Sequence, residues 1–139
     1  MTIHSDLTLQ PAVSQAALLA GRKISPVELL DAHLAQIARL NPELNAIVTL
    51  AEDQARTAAR EAEAAIMRGE PGGALRGLPV VIKDVTETAG IRTTYGCPLY
   101  RDNIPDRDAD VVTRLRAAGG DHSGQDQHAR ICDRRQHGQ

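Results

Sequence analysis

Phenylalanine and tryptophan are missing from this chain, and tyrosine occurs only twice in 139 residues. Large aromatics supply much of the buried area of an ordinary core. Burial therefore falls to Ala, Leu, Val and Ile, and many of the alanines sit in charged helical stretches. That composition suits a piece of a larger domain better than a self-sufficient one. Cysteine is scarce as well. Cys97 and Cys132 make no disulfide framework, so a reducing cytoplasm is the expected compartment. No charge of one sign dominates: the net charge of −2 is too small to predict a polyanion or a membrane surface as partner. No apolar run approaches the ~20 residues of a membrane span. The amino terminus lacks a basic stretch followed by a long apolar one, so no signal peptide is expected. Internal repeats and low-complexity tracts are absent, and Gly72-Gly73 lacks the Lys and Ser/Thr that a phosphate-binding loop requires.

What is present is a run of helical signals around two strand candidates. Ser14 to Ala20 reads as a first helix closed by Gly21. Ser25-Pro26-Val27-Glu28 is a helix start, with Ser25 as cap, Pro26 at the first helical position and Glu28 completing a capping box. Val27, Leu30, Leu34 and Ile37 then share one face, and Asn41-Pro42 is expected to end the helix. Ala46 to Leu50 is a short strand candidate. Ala51 to about Arg68 is an Ala-rich helix with Glu52 and Arg56 spaced for an ion pair and a shallow face of Ala55, Ala59, Ala62 and Ile66. Gly69 to Gly73 is a loop. Thr86 to Pro105 is mostly loop, with Thr93-Thr94-Tyr95 extended. Tyr95 and Tyr100 are expected in ordinary packing. Asp108 is expected to cap a last helix that buries Val111, Val112 and Leu115, places Asp110 in its first turn and Arg114 and Arg116 near its end, and stops at Gly119. His33 is expected at the surface.

The stretch richest in chemistry is Gly77 to Asp84, G-L-P-V-V-I-K-D. Gly77 and Pro79 mark its entry, and Leu78, Val80, Val81 and Ile82 read as a short buried strand. Lys83 stands at the carboxyl end, where ligands gather in α/β proteins. A lysine at the rim of an apolar site is partly desolvated, which favours the neutral amine that can act as a base. On position alone, a lysine that simply marks where the strand surfaces into water is the favoured account of the pattern.

The residues that follow add to this. Thr86 to Gly96 is T-E-T-A-G-I-R-T-T-Y-G, and Asp108 to Gly119 is D-A-D-V-V-T-R-L-R-A-A-G. With Ile24 to Leu34 (I-S-P-V-E-L-L-D-A-H-L) and Asn41 to Val48 (N-P-E-L-N-A-I-V), this order of motifs strongly resembles the amidase signature family over roughly residues 10 to 119. The resemblance implies a serine hydrolase with a Ser–cis-Ser–Lys triad in which Lys83 is the general base. Neutral lysine accepts a proton through the cis-peptide serine, the nucleophilic serine attacks an amide carbonyl, and water releases the acyl-enzyme. Backbone N–H groups hold the oxyanion. The family's Gly/Ser-rich segment, which carries both serines, has no counterpart in this sequence.

Residues 121–139, D-H-S-G-Q-D-Q-H-A-R-I-C-D-R-R-Q-H-G-Q, break the resemblance. The family places a buried strand and a K-T-N-x-P-E-F-like turn here. Back-translation of Gly119 to Gln139 with permitted codons, shifted by one base, has a consistent solution A-A-I-I-R-A-K-T-S-T-P-E-F-A-T-G-G-N-T-V-N. A one-base shift near Gly120 is therefore expected in the reading frame. His122, His128, Cys132 and His137 offer zinc-type ligands, but their spacing fits no common finger, and incidental histidines of an out-of-frame tail are the expected reading, with no metal and no cofactor. Arg130, Arg134 and Arg135 are diluted by Asp121, Asp126 and Asp133 and have no aromatic for base stacking, so no nucleic-acid partner and no membrane is expected.

The expected architecture is α/β, the N-terminal portion of the amidase signature fold with helices packed on a mixed sheet. It is incomplete, spanning residues 1–119, and residues 120–139 are a disordered, non-homologous tail. The expected function is that of an amide hydrolase whose parent acts on a small-molecule amide, with this chain inactive alone. Two alternatives stay open. One is a fragment of the A subunit of a tRNA-dependent amidotransferase, although the T-x-G-x-x-T-T-Y-G loop looks more like a general amidase. The other is a small helical interaction module without catalysis.

Overall fold

A computed structural model describes residues 6–119 and 130–133, the last four by backbone. After a 3-10 turn at Leu7–Leu9, the elements are α1 (Ala12–Ala20), α2 (Pro26–Leu44), β1 (Ile47–Leu50), α3 (Glu52–Met67), β2 (Val80–Lys83), a 3-10 turn at Pro98–Tyr100, α4 (Asp110–Ala118) and β3 (Arg130–Asp133). The architecture is the expected α/β one, with helices packed on a mixed sheet.

Helix α2 starts as the sequence predicts. Ser25 Oγ accepts from the Glu28 amide at 3.1 Å, and the Glu28 carboxylate accepts from the Ser25 amide at 2.8 Å. It does not stop at Asn41-Pro42. It continues to Leu44, with Pro42 inside and Asn45 in the left-handed conformation (φ 45°) as its C-cap. Two things make this possible. Asn tolerates the left-handed region, and the Asn41 side chain takes over the chain reversal by pairing with both the N–H and the C=O of Ile47, each at 2.8 Å. The helix end is thereby fastened to the first residue of β1.

The core lies between α2 and α3 and beneath α1. Leu30 and Leu34 meet Ala55 and Ala59, with Val27 at the margin. Leu19, Leu29 and Leu78 form a second cluster beside Leu7, Ala16, Ile24 and Leu75. The alanine face of α3 is broader than its spacing suggested, for Ala58 and Ala65 are buried with Ala55, Ala59 and Ala62, while Ile66 is only half-buried. Small side chains let the two helices approach closely, which is how a chain poor in aromatics still excludes water there. Arg56 bridges the exposed edge, reaching Glu52 at 2.9 Å as the i,i+4 spacing requires and Asp31 on α2 at 2.6 Å.

The sheet order is β1-β3-β2, with β3 antiparallel to β1 and parallel to β2. Arg130–Asp133 is thus a strand where a disordered tail was expected. The rest of residues 120–139, including His122, His128 and His137, lies outside the described residues, as does the Cys132 side chain. Helix α3 packs against β3. Strand β2 is not buried on both sides as expected. Ile82 is buried, while Val81 and Lys83, which alternate to the opposite face, are exposed. That face of the sheet carries no covering layer among the described residues.

Helix α4 departs from expectation in two ways. Ala109, not Asp108, is its N-cap, without a side-chain cap bond, and Val111 is exposed while Val112 is buried and Leu115 half-buried. Asp108 is diverted because its carboxylate accepts from the Ala89 amide at 2.7 Å and pairs with Arg116 at 2.6 Å. Arg116 supplies the basic last turn, and Gly119 ends the helix.

Candidate functional site

Lys83 closes β2. Its carbonyl accepts from the Thr86 amide at 2.9 Å, which turns the chain sharply out of the sheet. The side chain is exposed, not at the rim of an apolar site. The cause is the open sheet face that Lys83 shares with Val81.

The loop that follows folds back onto the end of β2 by satisfying its own polar groups, since no sheet does so for it. Thr88 is fully buried, and its hydroxyl donates to the Thr86 carbonyl at 3.3 Å. Gly90, at φ 73°, donates its amide to the Pro105 carbonyl at 3.0 Å. Thr93 and Asn103 pair across the loop, the Thr93 amide donating to the Asn103 carbonyl at 3.0 Å and Asn103 Nδ2 to the Thr93 carbonyl at 2.9 Å. Arg92 reaches the edge of β1, donating to the Val48 carbonyl at 3.1 Å and Thr49 Oγ1 at 3.2 Å. Thr93 and Thr94 belong to no strand, and the extended stretch expected ends at Tyr95, where the chain turns through Tyr95 and Gly96.

Asp84 organises this turn, and its part was not legible as a site. It is buried to 3 % exposure. Its Oδ1 accepts from the Thr94 amide at 2.7 Å and its Oδ2 from the Thr94 hydroxyl, and its own carbonyl accepts from the Tyr95 amide at 2.8 Å. Thr94 Oγ1 accepts in turn from the Gly96 amide at 3.2 Å. The signal in the sequence was a carboxylate directly after the strand lysine and a threonine ten residues on, but nothing local links the two.

Tyr95 occupies a positive φ of 54°, which is strained for an aromatic residue. Its hydroxyl donates to Glu87 at 2.8 Å, and its ring meets Tyr100 edge-on at 5.1 Å. The bond to Glu87 and, after it, desolvation raise the Tyr95 pKa above its ordinary value. This is the ordinary packing expected of both tyrosines. The described serines serve elsewhere: Ser25 caps α2, and Ser14 stands exposed on α1. Among the described residues no cluster of His, Cys, Asp or Glu has the geometry to hold a metal ion, and no helix is long and apolar enough to cross a membrane.

The site thus consists of a lysine at a strand end, a self-satisfied threonine loop folded over that end, and a following helix tied to the loop through Asp108. The profile of the amidase family matches residues 28–127. The chain belongs to the amidase family. It is 42% identical over 115 residues to the A subunit of the glutamyl-tRNA(Gln) amidotransferase of Acidothermus cellulolyticus, covering 83% of this chain and 23% of that protein. Among solved structures it is similar to a bacterial aryl acylamidase of the amidase signature family, with TM-score 0.75 and 28% identity, covering 89% of this chain and 25% of that one. It is also similar to the native peptide amidase of Stenotrophomonas maltophilia, with TM-score 0.74 and 26% identity over 90% of this chain and 24% of that one. This amidase-family chain therefore spans about a quarter of the length of the relatives it matches, and the solved amidases share its fold.

Proposed function

We propose that this chain is the lysine-bearing portion of an amide hydrolase that works through a Ser–cis-Ser–Lys triad, with Lys83 as general base. The observation that carries the reading is the position of Lys83 at the carboxyl end of β2, in a motif order shared with the amidase family. The base role needs the open sheet face to be covered by polypeptide that also brings the two serines, so the 139-residue chain on its own turns over no amide. The tail after Gly119 derives from a one-base change of frame, and residues 1–119 are the part that corresponds to an amidase domain.

A second reading has its own support. Curated relatives of this chain include A subunits of glutamyl-tRNA(Gln) amidotransferases at identities of 42% and 39%, above the 28% and 26% shared with the solved amidases. That difference favours a parent that frees an amide nitrogen for transfer to charged tRNA over the general amidase suggested by the Tyr95 loop.

The test begins with the gene. Sequencing from the Val111 codon past Gln139 should reveal a frame, one base away, that runs into a Gly/Ser-rich segment. The restored enzyme should hydrolyse amides, and Lys83→Ala should lower kcat by about 10⁴-fold or more, as loss of a triad member does elsewhere. Transamidation of charged tRNA with partner subunits separates the two parents. If no such frame exists, or if Lys83→Ala keeps its rate, the proposal fails.

A further inference from the structure

We propose that Asp84 is a positioning residue of the Lys83 site, holding the Thr93–Gly96 turn against the end of β2 so that turn and lysine move as one body. The inference rests on the reading of Lys83 as the base, but the geometry behind it is independent of that reading. A buried carboxylate is costly unless its lone pairs are used. Asp84, at 3 % exposure, directs both oxygens to one residue, Thr94, through the amide at 2.7 Å and the hydroxyl. The hydroxyl passes the constraint on by accepting from the Gly96 amide at 3.2 Å, and the Tyr95 amide returns to the Asp84 carbonyl at 2.8 Å. Thr94 and Tyr95 are thus fixed, by side chain and backbone, to the residue next to Lys83, and Gly96 is fixed to Thr94. Thr86 also donates to the Lys83 carbonyl at 2.9 Å, so a backbone bond closes over Asp84 from the lysine to the residue two past it.

A less costly structure exists. An exposed polar residue after the strand would let the loop run free, with no desolvation penalty. Burial of the carboxylate makes sense only if the location of the turn matters. The positive φ of Tyr95, a strain that must be held from outside, points the same way.

The test uses the chain as it is, with Asp84→Asn and Thr94→Val as disrupting variants and Thr94→Ser as the rescue. Amide hydrogen exchange is read at Thr86, Thr94, Tyr95 and Gly96, and at Leu29, Leu30, Ala55 and Ala59 as core controls. Loss of one charge-assisted bond should speed exchange about tenfold or more in the turn while the core controls stay within about twofold. Thr94→Ser should restore the turn. The second readout is chemical. Lys23 and Lys83 are the lysines of the chain, so the ratio of Lys83 to Lys23 acetylation by acetic anhydride reports the lysine with a built-in reference. Asp84→Asn and Thr94→Val should both change that ratio by about threefold or more, and Thr94→Ser should leave it unchanged. Neither measurement needs turnover, so failure of the amidase reading leaves this test intact. Exchange that rises equally in the core, or does not rise at all, overturns the proposal. A ratio that stays constant while the turn loosens does the same, since the bonds then stabilise the loop without positioning the lysine.

Discussion

His33 shows how a single side chain escapes sequence reading. Its neighbours along α2 are polar, which predicts solvation, but α2 turns it toward the amino-terminal segment, where it is half-buried with Nε2 at 3.4 Å from Gln15 Oε1. Gln15, itself buried, donates to the carbonyls of Leu7 and Gln10 and so ties down the chain entering α1. Burial lowers the His33 pKa from its ordinary 6.5, partly opposed by Asp6. A histidine held neutral by the fold contributes fully above the unfolded-state value, and its contribution is lost as pH falls from 6.5 through the lower folded value, because the unfolded state then binds the proton first. His33→Gln should therefore flatten the fall of the thermal midpoint between about pH 7 and pH 5, by about 1 kcal/mol or less of stability. Superposable pH profiles of wild type and variant would remove His33 from the account. The same kind of blindness hid Asp84. A carboxylate following a strand reads as the start of a surface turn, and only its distant partner Thr94 shows otherwise. The position of Lys83 at the end of β2 was legible because its signal is local, an apolar run that ends in a charge.

Elements were legible where capping chemistry and side-chain period agree. The start of α2 is the clearest instance, since Ser25, Pro26 and Glu28 each favour the same boundary for a separate reason. Ser25→Ala removes the acceptor for the Glu28 amide and should cost about 1 kcal/mol in thermal or denaturant unfolding. Ser25→Asp should retain most of that stability. An alanine variant as stable as the parent would mean that tertiary packing of Leu29 and Leu30 alone fixes the helix start. Boundaries were misread where a remote group decides. Pro42 is a helix stop in isolation, but Asn41 pairing with Ile47 and the left-handed Asn45 carry α2 past it. Asp108 is a sound cap in isolation, but the Ala89 amide and Arg116 claim its carboxylate. In both cases the competing partner lies outside the window in which local signals operate.

For the whole molecule, the layering of helices on a mixed sheet followed from the resemblance to the amidase signature family, whereas the strand order β1-β3-β2 did not. Strand pairing joins residues far apart in sequence, and β3 lies in a segment whose sequence carries no strand pattern. The consequence of that sheet is a face with no covering layer among the described residues. Leu50 and Val81 stand in one register row with Ile131 between them, and they are 41% and 46% exposed; Val85, just past β2, is 50% exposed. An apolar sheet face without a second layer is a template for association, and β2 adds an edge with no strand beyond it among the described residues. The purified chain should therefore self-associate, with a sedimentation coefficient that rises over a roughly tenfold increase in concentration. Val81→Glu combined with Val85→Glu should abolish that rise, because both positions are exposed in the single chain and a charge there costs nothing until a second layer arrives. A wild-type chain that sediments as a monomer throughout would show that the open face is covered from within, and the reading of this chain as a part awaiting the rest of a fold would lose its physical basis.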